Sequence, residues 1–168
     1  FLLGERKGAE VTYARRKAIK LRNELLAEGA LVAGKADKPF KVLKELMDKK
    51  FSEMVRMTFA DDDGIVKCVT CSKRLPWRQM DCGHFVDRYK LPTRWLLDIC
   101  RPQCRECNRY KTGKRYEFGA ALNKQLGEGT AERLIALGDT DGSQIRHQAS
   151  EMYAEILRLR KIQMNRFK

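Results

Sequence analysis

The sequence predicts an α+β fold that is mostly helical, with a small metal-organised centre held between long basic helices. Three observations predict it. Two Cys-x-x-Cys pairs, Cys68/Cys71 and Cys104/Cys107, bracket a stretch rich in turn signals. On both sides of that stretch, apolar residues recur at the three-four spacing of a helix. Over residues 65–100, "IVKCVTC", "QMDCGHFV" and "WLLDIC" are short, apolar and aromatic, which suits brief strands or irregular loops.

The 168 residues open on FLLGERKG without a methionine, as expected of a trimmed chain. Residues 9–28 read as a helix with a narrow seam of Val11, Ala14, Ala18, Leu21 and Leu25. "GALVAGKADKP" then breaks the pattern with two glycines and a proline, a linker. Pro39 suits the first turn of a second helix, running to about Phe59, with Phe40, Leu43, Met47, Phe51, Met54 and Val55 as its apolar face. "ADDDG" ends it as an acidic turn. After the strand-like region, residues 105–112 should start a helix at the second cysteine pair. Shorter helices follow over 115–126 and 130–137, the latter capped by Thr130. Ser143 caps a long final helix, whose Ile145, Ala149, Met152, Ile156 and Leu159 again form a narrow seam. The expected divisions are 1–38 (basic helix and linker), 39–126 (zinc-stabilised core with its leading helix) and 127–168 (C-terminal helices).

Apolar residues are 43% and charged residues 34%, highly charged but still globular. The net charge is +13, and more than half of the excess falls on residues 68–118. Such a bias points to a polyanionic partner, nucleic acid first. No apolar run approaches membrane-spanning length, so no membrane role is expected. The paired spacing of four of the six cysteines reads as metal ligation in a reducing, cytoplasmic compartment rather than as disulfides.

Two residues between cysteines let both thiolates of a pair reach one ion, and two such pairs complete a tetrahedral zinc site. Cys68, Cys71, Cys104 and Cys107 need no further ligand, so that zinc should be structural and supply much of the centre's folding energy. The competing reading is a redox pair or buried thiols. Cys82 and Cys100 are left without a role, as buried free cysteines.

His84 lies between the two pairs and could be a zinc ligand, a packed core residue or a general base. Four cysteines suffice for the zinc. Gly83 before it permits close backbone approach, and Asn108 follows the last cysteine where a helix should begin. The order Cys-x-x-Cys, Gly-His, Cys-x-x-Cys-Asn resembles the HNH, or ββα-metal, nucleases with their treble-clef-like zinc centre. The finer match, "DCGHF" and "RPQCRECNRYKTG" with a long helix on each side, resembles the phage NinG/Rap family. The resemblance runs roughly from Pro39 to the C-terminus and is densest from Cys68 to Gly113.

That resemblance implies a structure-specific recombination endonuclease, cutting Holliday junctions, D-loops and other branched DNA in the cytoplasm of an infected host. It implies that His84 is the general base and that Asn108 helps hold a catalytic Mg²⁺ or Mn²⁺. Gly83 stands where many such enzymes carry a metal-binding acid, so Asp81 or Asp87 must serve, and Asp81 is favoured. Ile99 and Lys114 also depart from the family, which usually has asparagine at both positions.

The chemistry follows physically. A neutral imidazole can take a proton from water, and a hard ion bound by oxygen ligands can absorb the charge developing on the phosphate. Arg88, Arg94, Arg101, Arg105, Arg109 and Lys111 are expected to bind flanking phosphates, and His147 to lie on the surface. Two symmetric cuts across a four-way junction imply a homodimer, paired through the first and last helical seams. The rival expectation is a non-catalytic zinc-finger module binding DNA or RNA, or a nuclease relic.

Overall fold

A computed structural model describes residues 40–167 of the chain. The helix expected over 9–28, the linker and Pro39 lie outside these residues. Among the described residues the fold is mostly helical, with two antiparallel two-stranded sheets.

Helix α1 (Phe40–Thr58) forms where the apolar stripe places it, burying Leu43, Met47, Phe51, Met54, Val55 and Met57. The acidic turn that follows has a built structure. Gly64 adopts φ +74°, and the Asp61 side chain accepts the Ile65 N–H at 2.8 Å while pairing with Arg74 at 2.8 Å. Asp61 thereby fixes both strands of the first hairpin, β1 (Ile65–Lys67) and β2 (Arg74–Pro76). A one-turn helix at Trp77–Gln79 leads to β3 (Asp81–His84). Arg56 of α1 donates to the carbonyls of Trp77 and Met80, which sets the entry into β3. A loop with two single-turn helices returns to β4 (Cys100–Gln103), paired with β3.

The helix expected over 105–112 is instead a five-residue π-helical turn, Glu106–Tyr110. Left-handed conformations at Thr112, Gly113 and Lys114 break the chain there, and α2 (Arg115–Leu126) starts afresh. α3 (Thr130–Gly138) and α4 (Ser143–Asn165) follow as expected. Their caps differ from expectation. Gly129 caps α3, while the Thr130 hydroxyl turns back to the Gly127 carbonyl. The Ala131 N–H is taken by the Asn123 side chain at 2.8 Å. At α4 it is Asp141 that accepts the Ser143 N–H, so Ser143 is the first helical residue and not the cap.

The apolar residues gather into two clusters. The larger joins α1 and α4, the most extensive helix pairing, with Phe85, Trp95, Ile99, Cys100 and Phe118. The seam expected on the final helix is partly taken up within the chain: Ala149 and Ile156 are buried in the cluster shared with α1, and Ile145, Met152 and Leu159 are half-buried against it. The smaller cluster consists of Ala60, Val66, Met80, Cys68, Cys104 and Cys107, flanked by Trp77 and Phe167. No helix among the described residues is long and apolar enough to cross a membrane.

Candidate functional site

Both cysteine pairs sit where a strand gives way to a turn. Cys68 follows β1, and its N–H donates to the Lys73 carbonyl at 2.8 Å while its carbonyl accepts the Ser72 N–H at 3.0 Å. This tight knuckle forces Ser72 to φ +63°, a left-handed conformation that is costly for residues other than glycine. Val69 N–H donates to the Pro102 carbonyl at 3.0 Å, which ties the first knuckle to β4. Cys104 and Cys107 lie at the end of β4 and in the π-helical turn.

The four sulfurs lie within 4.8 Å of one another, and Cys71 Sγ is 3.7 Å from Cys104 Sγ. A tetrahedron with zinc–sulfur bonds of about 2.3 Å has edges of about 3.8 Å. The cluster thus could hold a structural metal such as zinc. Burial opposes a thiolate at Cys68, but donors from Thr70, Cys104 and Cys71 outweigh it and bring its pKa to about 6. Desolvation and the neighbouring thiols push Cys71 up to about 12, against a backbone donor at Lys73. A bound divalent cation would let all four ionise.

The β3–β4 hairpin sets the second part of the site. Asp81 pairs with Gln103, Gly83 with Arg101, and His84 with Cys100. Strand alternation therefore puts Asp81, Gly83, Arg101 and Gln103 on one face, and Cys82, His84, Cys100 and Pro102 on the other.

On the first face, Asn108 Nδ2 donates to Asp81 Oδ2 at 3.1 Å, and Arg109 donates to both carboxylate oxygens at 2.7 and 2.9 Å. Burial would raise the Asp81 carboxyl, but Arg109 and Asn108 outweigh it and hold its pKa below the ordinary value. Gln103, fully buried, donates to the Thr70 hydroxyl at 3.2 Å and to the Gly113 carbonyl at 2.7 Å, bracing the first knuckle against the turn beyond the second. Gly83 is required here, because a Cβ would stand 2.3 Å from Gln103 Oε1.

On the second face, His84 Nε2 lies 3.1 Å from the Arg94 carbonyl and Nδ1 lies 3.3 Å from the Cys82 carbonyl. Burial and the nearby Arg88 lower its pKa, although the two carbonyls work the other way, so the ring is neutral at neutral pH. Cys82, His84 and Cys100 have ligand atoms within 4.8 Å of one another. Both ring nitrogens nonetheless face backbone carbonyls rather than the sulfurs.

The structure thus brings Asp81 and Asn108 together and leaves His84 on the opposite face of the hairpin. Asp87, the alternative acid, is exposed and pairs with Arg115 at 3.9 Å. Ile99 is buried in the larger core, and its carbonyl accepts the Phe85 N–H at 3.0 Å, so a backbone bond pins the loop behind His84. Lys114 sits at φ +47°, a conformation asparagine tolerates better than lysine.

The basic residues divide into two kinds. Arg105, Arg109 and Lys111 are exposed around the cysteine-anchored turn. Arg101 is buried, donates to Gln125 and the Leu97 and Cys100 carbonyls, and stacks over Phe59. Arg94 is held bidentately by Asp48 at 2.9 and 2.6 Å, with Trp95 Nε1 on the same carboxylate at 3.0 Å and Arg88 at 3.0 Å. Arg94 and Arg101 are therefore structural, contrary to the phosphate-binding expectation, because their guanidiniums are spent inside the fold. Asp48 is the residue that sequence reasoning missed. Its only signal was an acid flanking the apolar stripe of α1. His147 is exposed, as expected.

The family model described as Bacteriophage Lambda NinG protein matches residues 6–164 of the chain. No curated protein and no solved structure matches it.

Proposed function

Because the chain belongs to the phage lambda NinG family, we propose that it is a recombination endonuclease that cuts branched DNA. The observation that supports this reading best is the meeting of Asp81 and Asn108 at 3.1 Å, on a turn anchored by the cysteine cluster and edged by exposed basic residues. A carboxylate and a carboxamide oxygen are the donors a hard cation such as Mg²⁺ or Mn²⁺ prefers, and the Asn108 amide, which turns its Nδ2 to Asp81, would flip to present its oxygen. Asp81 and Asn108 would hold that cation, which when bound offsets the charge developing on the phosphate.

His84 takes the proton of the attacking water in this reading. If Nε2–H donates to the Arg94 carbonyl, Nδ1 is the nitrogen left to accept it. The role requires the His84 ring to turn when DNA binds, since it starts on the far face of the hairpin with Nδ1 against the Cys82 carbonyl. Arg105, Arg109 and Lys111 bind phosphates beside the cut. The zinc performs none of the chemistry. It ties the β1–β2 knuckle to the turn bearing Asn108. Paired cuts in a four-way junction call for two copies of the chain.

The orientation of His84 favours a second reading, in which the protein binds branched DNA without cutting it. Incubation of the zinc-loaded chain with an end-labelled four-way junction and Mg²⁺ separates the two. Symmetric nicks support the endonuclease; a stable complex with intact strands supports the binding module.

A further inference from the structure

The Asp81 carboxylate is already occupied. Arg109 Nε donates to Oδ2 at 2.7 Å and Nη2 donates to Oδ1 at 2.9 Å, while Asn108 adds a bond to Oδ2 at 3.1 Å. Two parallel N–H···O bonds are the bidentate geometry that makes guanidinium–carboxylate pairs strong. A Mg²⁺-type ion needs a carboxylate oxygen as a direct ligand at about 2.0–2.1 Å. A guanidinium spanning both oxygens carries like charge into that position. Arg109 and the cation therefore compete for one carboxylate.

The two partners differ in freedom. The Asp81 side chain is 15% exposed on a paired strand, whereas that of Arg109 is 57% exposed on the rim of the turn. Arg109 can leave, and Asp81 cannot follow. Exposed Arg105 and Lys111 flank Arg109, so a DNA backbone drawn to this rim brings phosphate oxygens to it. A phosphate offers the guanidinium the same two-oxygen geometry that it leaves behind.

We propose that Arg109 is a DNA-released latch on Asp81: in the free protein it closes the cation position, and a backbone phosphate that takes the guanidinium opens it. The proposal rests on the endonuclease reading in one respect, that Asp81 is a cation ligand. It adds an order of events, DNA before cation, which keeps the hydrolytic centre unloaded away from substrate. By linkage, phosphate and cation each tighten the binding of the other. Arg109 is here a positioning residue, acting on the cation through Asp81.

Mn²⁺ titration of the zinc-loaded, DNA-free chain, followed by the electron paramagnetic resonance of free Mn²⁺, tests the latch. Arg109→Ala should bind Mn²⁺ about tenfold more tightly than wild type, within the range of ordinary coupling between sites. Arg109→Lys should fall between them, because an ammonium cannot span both oxygens. Adding Asp81→Asn should remove the gain. Junction binding without Mn²⁺ should weaken in Arg109→Ala, an opposite sign that general loosening of the turn would not produce. If wild type binds Mn²⁺ as tightly as Arg109→Ala, and Asp81→Asn weakens both, the latch is overturned and the cation site stands. If no variant shows Mn²⁺ binding that depends on Asp81, the cation role of Asp81 fails and the latch with it.

Discussion

The side-chain amide of Asn108 lies 3.1 Å from Asp81 Oδ2 across 27 positions of sequence, joining the start of β3 to the turn anchored by Cys104 and Cys107. What holds that turn in place is the small cysteine cluster, whose apolar partners are Ala60, Val66 and Met80 with Leu75, Trp77 and Phe167 at its edge. So few buried residues give the region little burial energy, and a metal held by the four cysteines would add to it.

One zinc per chain is therefore expected by elemental analysis, and Cys104→Ser should lose it. The two tryptophans report on separate cores: Trp77 flanks the cysteine cluster, and Trp95 is buried with α1. Chelation should red-shift the emission of a Trp95→Phe variant, which reports Trp77 alone, and leave that of Trp77→Phe nearly unchanged. A simultaneous shift in both would mean that the metal supports the whole fold.

His84 makes stability depend on pH. Its folded pKa is depressed below 6.5, chiefly by burial. As pH falls below about 6.5 the unfolded chain takes up a proton that the folded chain resists, so the unfolded state binds more protons and stability drops. The urea midpoint should fall between pH 7 and pH 5, and His84→Gln should flatten that slope. An unchanged slope would place the titrating group elsewhere.

Arginines near one another in sequence should behave differently. Arg94→Ala leaves Asp48 without its bidentate partner in a mostly buried setting and should cost about 3 kcal/mol of stability. Arg105→Ala should leave stability unchanged but lower the slope of log affinity against log salt by about 0.9 on duplex DNA. Denaturation midpoints and binding at several salt concentrations check both.

Ile156→Glu puts a charge where α4 meets α1. It should destabilise the chain by about 3–5 kcal/mol rather than split a dimer. Calorimetry alongside light scattering distinguishes the outcomes: a folded monomer derived from a wild-type dimer would return α4 to the role of an intermolecular seam.

Much of this architecture was legible in the sequence because it follows from local periodicity. The stripe from Leu43 to Val55 and the punctuation at Gly127 and Gly138 mark α1, α2 and α3 to within a residue or two. The cysteine spacing marks the four-cysteine cluster. The π-helical turn did not show, because the breaks at Thr112 and Lys114 involve residues without a strong left-handed preference. Nor did the fates of Arg94 and Arg101, which depend on Asp48 and Gln125, partners 46 and 24 positions away. The separation of His84 from Asp81 follows from their odd spacing along β3, but only once that stretch is known to be a strand through His84.

The central claim is that this fold cuts branched DNA with Asp81 and His84. Single-turnover cleavage of a four-way junction in Mg²⁺, measured beside binding for wild type, Asp81→Asn and His84→Ala, tests it most directly. The account predicts symmetric nicking by wild type, a loss of about 10²–10⁴ in rate for His84→Ala, a comparable loss for Asp81→Asn, and junction affinity no weaker than wild type in either. A zinc-loaded wild type that binds the junction and leaves every strand intact, or variants that cut as fast as wild type, would contradict it.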